Sequence, residues 1–250
     1  MGTGLLWNSE GDTLYHCSSE GQALGFFMGS GILIDEDGND TYLLGGHDPD
    51  FRDPQKATIS MGQGFARGHR EDKKKKSVSG GIGLLIDKSG SDIYIADYFA
   101  QGASYFYGIG ILNDLSGDDR YIAGRYAQGA GIHSSVGILL DRQGNDVYYA
   151  SFGVAQGVGH DYGVGFLGDD AGDDYYQGGM LVQGAATNGS IGVFTDSRGE
   201  DHFVCREKGR GFAEAGDSLA IMIARNPADN LKNALEEPIT VRLGLITEGH

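Results

Sequence analysis

No stretch of the 250-residue chain approaches the run of about 18 apolar residues that a membrane-spanning helix needs. Its start, Met1-Gly2-Thr3-Gly4, lacks the basic n-region that opens a signal peptide. Proline is scarce, at 4 residues, which excludes collagen and a Pro-rich disordered chain. Two cysteines are too few for a disulfide framework. Positive charge is also short: 19 Lys and Arg stand against 35 Asp and Glu, a net charge of −16. That balance disfavours nucleic acid and anionic membrane surfaces, which are bound through Lys and Arg. It suits a divalent cation.

What the chain does have is glycine, 44 residues, with 40% apolar residues to make a core. The glycines belong to a repeat. The motif Leu-x-Asp-x-x-Gly-x-Asp-x-Tyr runs Leu33, Asp35, Gly38, Asp40, Tyr42, and then Leu85, Asp87, Gly90, Asp92, Tyr94. It recurs with Asp114, Asp119 and Tyr121, with Asp141, Asp146 and Tyr148, and with Asp169, Asp174 and Tyr176. A variant carries Phe194, Asp196, Gly199, Asp201 and Phe203, and a degraded first copy carries Leu6, Asn8, Gly11 and Tyr15. The spacing is 27 or 28 residues except for one step of 52, which is one coil carrying two extra loops near 46–59 and 67–77. The second loop holds Lys73-Lys74-Lys75-Lys76, which cannot be core. A glycine column four residues before the first Asp (Gly31, Gly83, Gly110) and a glutamine column after the Tyr (Gln22, Gln101, Gln128, Gln156, Gln183) keep the same register.

Short β-branched runs bounded by Gly/Asp turns read as strands. A 27-residue unit of two or three of them suits one coil of a parallel β-helix, since propeller blades need about 40 residues. The fold class expected is all-β: a right-handed parallel β-helix solenoid of seven coils over residues 1–212, with a small C-terminal α/β cap over 213–250. Asn230–Leu235 is the expected helix of that cap and Ile239–Ile246 its strand. Like residues then stack at about 4.8 Å, so Leu and Tyr ladders fill the interior and the glutamines form an amide ladder, each bonding the next. Cys17 and Cys205 fall in one column six coils apart, too far for a disulfide, as small buried residues.

Twelve aspartates form two acidic columns: Asp35, Asp87, Asp114, Asp141, Asp169 and Asp196, and Asp40, Asp92, Asp119, Asp146, Asp174 and Asp201. Stacked carboxylates repel unless they bond locally or share a cation. Either each caps its Gly turn by accepting backbone N–H groups, or oxygens of successive turns hold Ca²⁺. The segments Gly38-Asn39-Asp40-Thr41-Tyr42, Gly90-Ser91-Asp92-Ile93-Tyr94 and Gly144-Asn145-Asp146-Val147-Tyr148 resemble the G-x-D-x-U half of the RTX calcium-binding repeat. That resemblance covers five or six residues of each 27 and implies Ca²⁺ coordinated by aspartates at the turns of a parallel β-roll. With Ca²⁺ bound, an extracellular or periplasmic setting is expected.

The segment before the Gly column varies between copies and marks an exposed face. There His133 and Asp161 fall on adjacent coils near His160, Tyr105 and Tyr107, a candidate His base oriented by a carboxylate. A second cluster lies in the inserted loops: His47, Asp48, Asp50, Asp53, His69 and Arg70. The function expected is a non-catalytic binding or structural module stabilised by Ca²⁺. The alternative is a carbohydrate-active enzyme stacking sugars on Tyr98, Phe99 and Tyr105. Polysaccharide, or a second copy through the solenoid end or C-terminal segment, are the partners considered. Threonine forms no column, so an ice-binding face is set aside.

Overall fold

The computed structural model describes residues 2–53, 56–71 and 76–225, together with the backbone of the strand Ile239–Ile246. The expected helix at 230–235, and Lys73, Lys74 and Lys75, lie outside the described residues. Among those described there is no α-helix, hence none long and apolar enough to cross a membrane.

Three parallel sheets wind into a β-solenoid. Sheet A holds the Leu-x-Asp strands Thr3–Asn8, Ser30–Asp35, Ile82–Asp87, Ile109–Asp114, Val136–Asp141, Val164–Asp169 and Ile191–Asp196. Sheet B holds the Tyr strands, from Leu14–Cys17 to His202–Glu207, and sheet C seven two-residue strands from Gly25–Phe26 to Ala213–Glu214. Seven complete coils follow, and sheet A then continues into an eighth strand, Ser218–Arg225. The solenoid therefore runs past the last Asp motif. Ala220 takes the glycine position opposite Gly192, and Ala224 stands opposite Asp196. Strand Ile239–Ile246 pairs antiparallel with this eighth strand and covers its edge.

Register is strict. Leu33 pairs with Leu85, Asp35 with Asp87, and Tyr42 with Tyr94. From Leu33 to Leu167 and from Tyr42 to Tyr176 these leucines and tyrosines are all 2% exposed or less and form the core, whereas Leu6 of the first coil is exposed and Tyr15 partly buried. Tyrosine rings from Tyr15 to Tyr176 stack 4.6–4.9 Å apart within 9° of parallel, a spacing imposed by the strands themselves.

Two glycine columns are required by close approach. At Gly117 φ is +155°, and a Cβ would lie 1.5 Å from the carbonyl oxygen of Gly90 one coil below. At Gly110 a Cβ would lie 1.9 Å from the carbonyl of Ala103, where sheet C passes flat against sheet A. Only hydrogen fits at either place.

The glutamines do not bond one another. Each Nε2 donates to two main-chain carbonyls of sheet B, as Gln128 does to Tyr121 and Tyr149 at 2.9 and 3.2 Å. The backbone offers nearer acceptors than the next amide, and every Gln Oε1 of the column is left buried without a donor. Cys17 and Cys205 are free thiols and are half-buried, because they sit in the first and last coils with no full neighbour beyond. Both inserted segments return on themselves through antiparallel bridges, Pro49 with Thr58 and His69 with Val78.

Candidate metal centres

The turn from sheet A to sheet B is where the Asp columns meet. In the first column, from Asp35 to Asp169, Oδ1 accepts the N–H two residues on, at 3.2–3.3 Å, closing the turn. Its Oδ2 takes a tyrosine hydroxyl from the coil before: Tyr42 donates to Asp87 at 2.5 Å, Tyr94 to Asp114 at 2.7 Å, and Tyr121 to Asp141 at 2.7 Å. Burial drives these phenols far up in pKa, so they stay protonated donors.

In the second column, Oδ1 accepts the main-chain N–H of its counterpart one coil earlier, as Asp119 does from Asp92 and Asp146 from Asp119, both at 2.6 Å. The turn-capping role is thus real, but it uses one oxygen of each carboxylate. The other is stranded: Oδ2 of Asp40, Asp92, Asp119, Asp146, Asp174 and Asp201 is buried with no hydrogen-bond partner.

The two columns of carboxylates converge. In five successive groups one oxygen from each of three aspartates lies within 4.8 Å of the others: Asp40, Asp87 and Asp92; Asp92, Asp114 and Asp119; Asp119, Asp141 and Asp146; Asp146, Asp169 and Asp174; Asp174, Asp196 and Asp201. Each group could hold a metal ion. Burial away from water, with the neighbouring carboxylates adding to it, pushes Asp92 up to about 9, Asp146 to about 10 and Asp196 to about 9. Asp114 and Asp141 are also driven well above the ordinary carboxylate range by burial. Carboxylates so placed cannot all carry charge without a counter-charge between them.

The first column is flanked by neutral residues, Asn8 before Asp35 and Ala224 after Asp196, but only the first end is satisfied. Asn8 occupies the Asp position of the first coil and donates to Asp35 at 3.2 Å, while Tyr15 also donates to Asp35. Asp35 joins none of the five groups. At the far end Tyr148 and Tyr176 both donate to Asp169, at 2.8 and 2.9 Å. Asp196 is left with both oxygens unpartnered.

The other clusters read from the sequence behave differently. His133 Nδ1 lies 3.1 Å and His160 Nε2 3.5 Å from Oδ2 of Asp161. Asn188 donates to the second oxygen of Asp161 at 2.5 Å, and His160 Nδ1 sits 2.6 Å from Thr187. Burial lowers the pKa of His160. His133 and Asp161 line a shallow 350 Å³ cleft with Phe106 and Tyr162. A carboxylate beside an imidazole nitrogen is the contact that orients a histidine base.

The loop residues do not converge. His47 and Asp48 pair with each other in solvent, whereas Asp50 is fully buried in a two-pronged contact with Arg52 at 2.8 and 2.9 Å. Asp50 thereby anchors the loop. His69 instead meets Phe27 edge-on. Tyr98 and Phe99 are 3% and 5% exposed, so neither offers a face to a sugar.

No family model, curated protein or solved structure matches the chain. The sites are therefore read from their own geometry.

Proposed function

We propose that the chain is a non-catalytic β-solenoid serving as a binding or structural module, stabilised by a row of divalent cations, Ca²⁺ by chemistry, along its aspartate column. The observation that carries this reading is the set of buried Oδ2 atoms with no donor. The donors are all carboxylate oxygens, which suit hard cations and not zinc or copper. Mg²⁺ keeps several of its waters and demands octahedral geometry, whereas Ca²⁺ takes oxygens in flexible arrangements. A column of aspartates buried to this degree has little place for retained water. Five divalent ions would bring ten positive charges to the eleven aspartates of the five groups, close to neutrality. The group Asp174, Asp196 and Asp201 has the most unsatisfied oxygens and loads first.

The test is thermal unfolding in Ca²⁺ and in EGTA, with metal analysis of the purified protein. Several bound ions, and a melting point that falls steeply on chelation, are expected. A metal-free protein indifferent to EGTA would sink the proposal and leave protons shared between carboxyls as the account of the column. Bound Ca²⁺ would also favour an extracellular or periplasmic setting.

One contact favours the carbohydrate-active alternative, the His133–Asp161 pair at the rim of an open cleft. Polysaccharide turnover lost in His133→Asn would support it, and a blank screen on neutral and acidic polysaccharides would remove it.

A further inference from the structure

The coil that carries the two inserts differs from the others in its sheet-C residue. Successive coils place Phe26, Arg67, Tyr105, Ile132, His160, Thr187 and Glu214 at this one position. The fold therefore accepts almost any side chain there, and nothing in the repeat calls for a cation.

Arg67 is nevertheless half-buried, and among the described residues no carboxylate lies within ion-pair range of it. Its guanidinium makes do with weak acceptors, the Met61 sulfur at 3.2 Å and the Gly68 carbonyl at 3.4 Å, and lies 5.3 Å from the centre of the Phe26 ring. Burial lowers the pKa of Arg67, and exposed Glu20 opposes that shift only from a distance. The neighbouring Arg52 is in the opposite condition. Asp50 holds it with two hydrogen bonds, and Phe51 and Phe99 each lie 4.7 Å away.

Between them lies a partly enclosed cavity of 210 Å³, formed where the 46–59 insert comes down beside sheet C. Its walls include Phe51, Ile59, Met61 and Tyr105 together with both arginines, Arg52 and Arg67. A cavity of about 150 Å³ admits a benzene ring, so this one takes a ring with a short substituent. An apolar chamber beside an unpaired guanidinium matches one ligand chemistry, an apolar body ending in a single carboxylate. The fork of Arg pairs carboxylates in two-pronged fashion, and the net charge of −16 disfavours polyanions.

The geometry points to a binding site for a small aromatic or branched-chain monocarboxylate in this cavity, its carboxylate on Arg67 and its apolar body against Phe51, Ile59 and Tyr105. None of the column aspartates lines the cavity, so the site stands whether or not the column holds cations.

The experiment is titration of the whole protein with phenylacetate and 3-phenylpropionate by calorimetry and ligand-observed NMR, with phenylacetamide as the uncharged match, in Ca²⁺ and again in EGTA. The acids are expected to bind at least about tenfold more tightly than the amide, the loss expected when a charge-assisted hydrogen bond is removed. Arg67→Gln should bring the acids down to the level of the amide, with circular dichroism confirming the fold. Acid and amide binding alike in the native protein, or no binding of either acid at millimolar concentration, would overturn the assignment without recourse to the variant. So would a folded Arg67→Gln protein that kept its preference for the acid.

Discussion

Along the corner between sheets A and B the five coils from Asp35 to Asp174 repeat the same chemistry, whereas at the outer position of sheet C no two coils agree. At the corner, Asp lies over Asp, Tyr over Tyr and Gly over Gly. In sheet C the equivalent position passes from Phe26 to Arg67 to His160 to Glu214. Both regions stack at the same pitch, so pitch does not explain the difference. Enclosure does. A corner side chain is surrounded by its own coil and the two beside it, and only one residue type satisfies that cage. The outer positions of sheet C are less enclosed, since Phe26, Arg67, Tyr105, His160 and Glu214 are only half-buried while Ile132 and Thr187 are buried, and they differ from coil to coil.

The comparison should break first with pH and chelator. In ion-free protein, burial places Asp40 and Asp119 near about 7, Asp174 near about 8 and Asp146 near about 10, against 3.8 for the group unperturbed. The folded chain then keeps protons that the unfolded chain sheds. The corner's stability is complete below about pH 4 and drains away as pH rises towards 10. In EGTA the melting point is expected to be higher at pH 5 than at pH 8 by more than about 10 °C, since each kcal/mol is worth 2–4 °C at this chain length. Ca²⁺ should reverse the slope, because protons compete with it at low pH. A melting point flat in pH under both conditions would mean that the column carries no such strain.

Gly117→Ala comes next. It combines a forbidden φ with a 1.5 Å approach to a main-chain oxygen and should cost more than about 4 kcal/mol in urea unfolding. A cost under about 1 kcal/mol would show that the turns can separate. Tyr121→Phe keeps the ring stack but withdraws the donor from Asp141, an expected loss of about 1–3 kcal/mol. In Ca²⁺ that loss should shrink, since the ion supplies the missing partner, and an equal loss with and without Ca²⁺ would place the ion elsewhere. The smallest effect is expected on the variable face. His133→Asn, though it removes a contact to Asp161, should stay within about 0.5 kcal/mol by thermal unfolding. A larger penalty there would erase the distinction between the two regions.

Much of this was legible in the chain before any coordinates. Three columns in one register established the coil, and the 52-residue step located both inserts. The Cβ-free positions were marked by glycine itself. The eighth sheet-A strand was not legible as a repeat, because Ala220 and Ala224 replace the Gly and Asp that define the motif. Its trace was the alternation of small and large residues in Ser218–Arg225, buried in every second place. The glutamine column was visible, but its partners were not, since bonding to main-chain carbonyls leaves no mark on residue identity. Arg67 was missed as well. Its only signal was a single cation in the otherwise neutral run from Gly62 to Gly68.

The sequence by itself determined the period, the parallel stacking and which residues share a column. These follow from local turn chemistry repeated at a constant interval, and a repeat in register can close in few other ways. Only the tertiary structure decided what each oxygen in the column faces. Except at Asp196, one oxygen of each carboxylate goes to the backbone and the other to a phenol or to no donor, and the carboxylates converge three at a time in five groups. It also decided that Asp50 is spent on Arg52 while Arg67 is left beside an open cavity. Such outcomes depend on distances of a few tenths of an ångström between coils 27 or more residues apart, and hydrogen bonding and desolvation act at that scale.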